Sequence, residues 1–134
     1  MGTETLRVLL IEDDPLQARL IRETLSEAEG ARICCEWADC LSRGIERLAR
    51  GGIDLLLLDL TLPDSWGLNT IAEVRRRVPE IPILILTGRS DDSFLAEARR
   101  MGAHGYLLKD DAVGPSLARR IYDAVKKQVP VKGR

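Results

Sequence analysis

Short continuous apolar runs alternate along this chain with stretches in which apolar residues recur every three to four positions. The continuous runs are Val8–Ile11, Leu55–Leu58, Ile83–Leu86 and the shorter Tyr106–Leu108. Such runs, without polar alternation, predict strands buried on both faces of a parallel sheet. The strands are expected near Arg7–Ile11, Arg32–Ala38, Ile53–Asp59, Ile81–Leu86 and Gly105–Leu108, with the very apolar third strand at the centre.

The intervening periodicity predicts helices. Pro15 opens the first, with a stripe of Leu16, Leu20, Ile21, Leu25 and Ala28 that stops at Gly30. Asp39 is the expected cap of a second, carrying Leu41, Ile45 and Leu48 up to Gly51-Gly52. The third presents Leu68, Ile71 and Val74 and ends near Pro79. Ser90-Asp91-Asp92 caps a fourth with Leu95, Ala98 and Met101, closed by Gly102, and the last carries Leu117, Ile121 and Val125.

Strand and helix thus alternate five times. That pattern implies an α/β fold: a doubly wound five-stranded parallel sheet with right-handed crossovers and five helices on its two faces. For five strands the expected order is the flavodoxin-like 2-1-3-4-5. A length of 134 residues fits one domain, taken as 1–129, with 130–134 as a flexible tail or linker stub.

Composition narrows the function classes. Twenty basic and 21 acidic residues give a formal net charge of −1, so no bulk field favours nucleic acid or an anionic membrane. No apolar stretch approaches the ~20 residues that span a bilayer, and the first residues lack a secretory pattern, so a cytoplasmic location is expected. Cys34, Cys35 and Cys40 are odd in number, and the single histidine, His104, stands at no ligand spacing to them; reduced, packed thiols are expected.

Chemistry enters at the strand ends. Ligands of open α/β sheets bind beyond the carboxyl ends of the strands, and there this chain carries Glu12-Asp13-Asp14, Asp59, Thr87 and Lys109. A carboxylate such as Asp59, ending a central strand, can attack phosphorus and carry an acyl phosphate. Taken alone it would read as a helix cap or loop carboxylate. Glu12, Asp13 and Asp14 would repel one another and Asp59 unless a cation sat among them, and Mg²⁺ suits carboxylates, phosphate oxygens and waters. Adjacent residues cannot all face inward, so Asp13 and one neighbour are the expected metal-site pair. Thr87 offers a hydroxyl to a phosphoryl oxygen, with space left by Gly88. Lys109 supplies a point charge. Together these describe phosphoryl transfer onto Asp59 by positioning and electrostatics.

At these residues the chain resembles the response-regulator receiver domains of two-component signalling (CheY-like). The resemblance spans about Leu6 to Lys127 and rests on Val-Leu-Leu-Ile-Glu-Asp-Asp-Pro (8–15), Leu-Leu-Leu-Leu-Asp-Leu-Thr-Leu-Pro-Asp-Ser-Trp-Gly-Leu (55–68), Ile-Leu-Thr-Gly (85–88) and Gly-Tyr-Leu-Leu-Lys (105–109). It implies that Asp59 is a phosphoacceptor served by a sensor histidine kinase or a histidine phosphotransfer protein. It further implies that Asp13 ligates Mg²⁺ with Glu12 assisting, that Thr61 lends its backbone carbonyl, and that Asp14 stays outside the first coordination sphere. Thr87 and Tyr106 match the family's switch pair, and Lys109 its ion-pairing lysine. Thr61 and Arg89 fall where the family tends to set its hydrolysis rate. The protein would then be a phosphoacceptor switch rather than an enzyme acting on other substrates, signalling through the last two helices and fifth strand to an effector or an attached output domain. A homodimer stays open.

One departure is visible. Asp110-Asp111 follows Lys109 where many members have a cis proline. A cis bond without proline costs ~2.5–4 kcal/mol, so a trans bond and a different loop are expected. With the Leu-Pro-Asp-Ser-Trp-Gly-Leu stretch, this resembles receivers attached to sensor kinases or cyclic-dinucleotide enzymes.

Other readings fit less well. An aspartate phosphatase usually needs a second carboxylate two residues on, where Thr61 stands, and a cap domain. An FMN carrier would bring its phosphate to a first loop that here is acidic and repels it. No P-loop sequence occurs. A phosphorylation-independent docking or dimerisation module on the same fold is the remaining alternative.

Overall fold

The computed structural model describes residues 5–28, 30, 32–88 and 91–128. Arg89, the expected cap residue Ser90 and the tail 130–134 lie outside the described residues. The strands are β1 (Leu6–Ile11), β2 (Ile33–Ala38), β3 (Leu55–Asp59), the two-residue β4 (Thr61–Leu62) and β5 (Ser65–Trp66), β6 (Ile83–Thr87) and β7 (Gly105–Leu108). The helices are α1 (Pro15–Ser26), α2 (Leu41–Ala49), α3 (Asn69–Arg77), α4 (Asp92–Arg100) and α5 (Leu117–Gln128).

Five strands form one parallel sheet in the order β2-β1-β3-β6-β7, which is the expected 2-1-3-4-5 once the short β4 and β5 are set aside. All side chains of β3 and β6 are buried. They alternate between two apolar layers. Leu55 and Leu57 pack with Ala18, Ile21 and Leu25 of α1 and Leu117 and Ile121 of α5. Leu56 and Leu58 pack with Leu41 and Leu48 of α2, Ile71 and Val74 of α3 and Ala98 of α4. The close approach of α2 to β1 requires Gly44, where an added Cβ would collide with Ile11.

Several expectations need correction. The third and fourth main strands begin at Leu55 and Ile83, two residues later than expected, and β6 runs on to Thr87. Leu16 and Leu20 do not face the core; they are 61% and 39% exposed. The buried face of α1 is set instead by Ala18, Ile21 and Leu25 at i, i+3 and i+7. At about 100° per residue, Leu20 points roughly 100° away from Ile21.

Asp39 does not cap α2. The helix starts at Leu41, so the local cap position is Cys40, which makes no side-chain cap bond, and Asp39 pairs instead with Arg43 at 3.0 Å. The cap comes from a distant loop. The Asp64 carboxylate accepts from Leu41 N at 2.8 Å and from Ser42 N at 2.9 Å.

The segment after Asp59, read as a plain loop, is a small antiparallel hairpin with Thr61 opposite Trp66. Gly67, at φ +81°, lets the chain turn out of it, and its N–H donates to Leu60 O at 2.6 Å. The hairpin is further pinned by a 2.7 Å bond between the Ser65 and Thr70 hydroxyls. After Lys109 the chain enters a 3₁₀ turn, Lys109–Val113, anchored by fully buried Ala112. No cis peptide occurs among the described residues, in line with the expected trans loop.

Candidate functional site

The sheet order lines up the predicted residues. Ile11 is in register with Leu58, Asp59 with Leu86, and Thr87 with Leu108. The chemistry-bearing ends of four neighbouring strands therefore lie side by side at one edge. Glu12 and Asp59 are each only 1% exposed, whereas Asp13 stands in solvent at the rim.

Asp59 presents its two oxygens differently. Oδ1 accepts from Thr61 N at 3.3 Å and Thr61 Oγ1 at 3.1 Å, and lies 3.2 Å from Lys109 Nζ. Oδ2 is buried with no hydrogen-bond partner. Glu12 is the mirror case: its Oε2 accepts from Asp14 N at 3.2 Å, while its Oε1 is buried and without a partner. Buried carboxylate oxygens left in this way are costly.

The cost shows in the titration of Glu12. Burial, then the hydrogen bond that the protonated carboxyl can donate to Asp59 and the charge of that neighbour, push the Glu12 carboxyl from 4.5 up to about 8, against smaller opposing effects of the Asp14 N–H and Lys109. With both groups ionised, the facing oxygens have no donor between them; a proton on Glu12 supplies one. A cation would supply the same compensation.

Glu12, Asp13 and Asp59 can each bring one carboxylate oxygen to within 4.8 Å of the others. An all-oxygen, anionic donor set with two orphaned buried oxygens fits a hard divalent ion such as Mg²⁺, which holds one or two carboxylates and keeps waters or phosphate oxygens. Asp14 is occupied elsewhere: its side chain caps α1, accepting from Leu16 N at 3.0 Å.

Thr87 closes β6 and is 6% exposed. At Gly88, which follows it, an added Cβ would meet nothing within 4 Å, so the space expected there exists. Tyr106 is half-buried on β7 against the apolar layer that α2, α3 and α4 cover. Its carbonyl accepts from Arg120 of α5 at 2.8 Å. The three cysteines are unbridged, and burial pushes the Cys35 thiol up to about 12.

Two residues at the site had escaped the sequence reading. Asp64 ties the hairpin after Asp59 to the start of α2. Trp37, on edge strand β2, sends its indole Nε1–H to the carbonyl of Glu12 at 2.7 Å. Neither had a local signal, because both partners lie far away in sequence.

The comparisons with known proteins agree with this geometry. Residues 8–125 match the family model of the response regulator receiver domain. The swarming motility regulation protein RssB of Serratia marcescens is 36% identical over 116 residues, covering 87% of this chain and 51% of that protein. The KDP operon transcriptional regulatory protein KdpE of Escherichia coli is 36% identical over 112 residues, covering 84% and 48%. Among solved structures, the signal receiver domain of an HD domain-containing protein from Pseudomonas fluorescens superposes with a TM-score of 0.81 at 22% identity, covering 100% of this chain and 96% of that one. At that identity the likeness speaks for the fold alone. The chain spans about half the length of the curated relatives it matches. It belongs to the response regulator receiver domain family, whose members are signalling switches.

Proposed function

We propose that Asp59 accepts a phosphoryl group from a phosphohistidine on a sensor histidine kinase or a histidine phosphotransfer protein. The observation that carries this reading is the asymmetry of its buried carboxylate. Lys109 and Thr61 hold Oδ1, while Oδ2 has no partner beside the acidic pair.

A carboxylate oxygen attacks phosphorus, the O–P bond forms, and the donor's N–P bond breaks with its electron pair returning to the imidazole. Lys109, at Oδ1, offsets negative charge that accumulates on the phosphoryl oxygens. Thr61 fixes the carboxylate rotamer through two hydrogen bonds. Asp13 and Glu12 would hold Mg²⁺ together with Asp59, and the Thr61 carbonyl would complete the protein ligands. The ion, when bound, supplies positive charge against the carboxylates and the incoming phosphoryl group.

Release of the switch runs through Thr87 and Tyr106: the hydroxyl moves toward the phosphoryl group and the ring turns inward into the space that it leaves. The altered face comprises α4, β7 and α5, and a downstream effector or an output domain reads it. The exposed leucines of α1, Leu16 and Leu20, follow directly on the acidic loop and offer the donor protein an apolar seat.

Intact-mass measurement after incubation with acetyl phosphate tests the reading. One added phosphoryl group that requires both Mg²⁺ and Asp59 is expected, with none on Asp59→Asn. Absence of any adduct, with a stable phosphoryl mimic also failing to bind, would overturn it.

A further inference from the structure

Trp37 occupies an edge strand, and the residue is 37% exposed, so burial alone does not account for a tryptophan there. Its polar atom is specifically engaged, however, with Nε1 lying 2.7 Å from the backbone carbonyl of Glu12. In the β1–β2 ladder Trp37 stands opposite Leu10, two residues before Glu12. The last backbone rung is Glu12 N to Ala38 O at 3.0 Å. Side chains in strands lean along the strand direction, and the indole reaches past that rung to add one more hydrogen bond.

The carbonyl it holds belongs to the peptide that joins Glu12 to Asp13. A peptide group is planar, so holding its oxygen restricts ψ of Glu12 and φ of Asp13, the two rotations that orient the flanking side chains. Those side chains are the two carboxylates that converge with Asp59. With its N–H held by Ala38, its C=O by Trp37 and its Oε2 by the Asp14 N–H, Glu12 is constrained at three points. β2, which contributes no ligand, thus reaches through Trp37 to the loop after β1 that contributes two.

We propose that Trp37 is a positioning residue for the cation-binding carboxylates, its indole N–H holding the Glu12–Asp13 peptide in the orientation that Mg²⁺ requires. The role rests on the receiver reading above. Trp37 touches neither cation nor phosphoryl group; it acts through the Glu12 carbonyl. Removing the donor lets that peptide rotate, and the ion must then pay for ordering it.

The test is Mg²⁺ titration by calorimetry of wild type, Trp37→Phe and Trp37→Leu, with the metal-free melting temperature of each recorded. Phe keeps an aromatic ring at the edge and Leu does not, but both lack the donor. Both variants should bind Mg²⁺ about five-fold more weakly, the scale of one neutral hydrogen bond, although their melting temperatures differ. Affinity equal to wild type in Trp37→Phe would overturn the role, as would a loss that merely tracks the fall in melting temperature from Phe to Leu. Failure of the wild type itself to bind Mg²⁺ would overturn the receiver reading, and this role with it.

Discussion

Lys109 Nζ lies 3.2 Å from Asp59 Oδ1, and the two differ sharply in exposure: the lysine side chain is 35% accessible and the aspartate 2%. A cation at the rim therefore holds one oxygen of a buried anion, leaving the other toward Glu12. Lys109→Ala should lower the rate of adduct formation from acetyl phosphate by about 100-fold, the scale of losing one preorganised charge at a phosphoryl oxygen. Mg²⁺ should still bind, because no ligand is removed. Single-turnover rates against calorimetric affinity separate the two effects, and an unchanged rate would contradict the assigned role.

The acidic pair makes the metal-free fold sensitive to base. Burial and Asp59 raise the Glu12 carboxyl from 4.5 to about 8, so between those values the folded state holds a proton that the unfolded chain has lost. Stability then falls as pH rises through this window. In a chelator, melting temperature should decline from about pH 5 toward about pH 8, and Glu12→Gln should flatten that decline. Added Mg²⁺ should release a proton and bind more tightly as pH rises. A Glu12→Gln profile parallel to wild type would remove Glu12 as the source.

Asp64 behaves in the opposite sense. Burial acts to raise its carboxyl, but the Leu41 and Ser42 N–H groups outweigh that and hold it below 3.8. Its contribution is present above the ordinary value and is lost as pH falls through the lowered one. Asp64→Ala should cost about 1 kcal/mol, as for other helix N-caps, measured by denaturant titration at neutral pH. The difference from wild type should shrink in acid.

Thr87 is assigned to the response rather than to the acceptance of the phosphoryl group. Thr87→Ala should still take up acetyl phosphate to about the same extent, yet the Tyr106 ring should not reorient when a stable phosphoryl mimic binds. Aromatic NMR signals of Tyr106 with and without the mimic check this. A wild-type response in the variant would detach Thr87 from the switch.

Much of this arrangement was legible in the chain. Uninterrupted apolar runs identified the strands, and their alternation with helices implies a parallel sheet whose carboxyl ends, carrying Asp59, Thr87 and Lys109, lie along one side. The register that aligns them is seen only in the fold. The phase of α1 was not legible: Leu16 and Leu20 satisfy a helical period as well as Ala18, Ile21 and Leu25 do, and only docking on the sheet selects between the stripes. Asp64 and Trp37 were hidden for another reason. Their partners, the start of α2 and the carbonyl of Glu12, lie 22 to 25 positions away and become neighbours only through the sheet topology.

The central claim is that a phosphoryl group is carried as an acyl phosphate on Asp59. Borohydride reduction of the phosphorylated protein, followed by peptide mass mapping, tests it most directly, because an aspartyl phosphate is converted to homoserine at the modified position. The account predicts homoserine at position 59, dependent on Mg²⁺ during phosphorylation. Homoserine at another aspartate, or an adduct that resists reduction and maps to a hydroxyl or an imidazole, would contradict it.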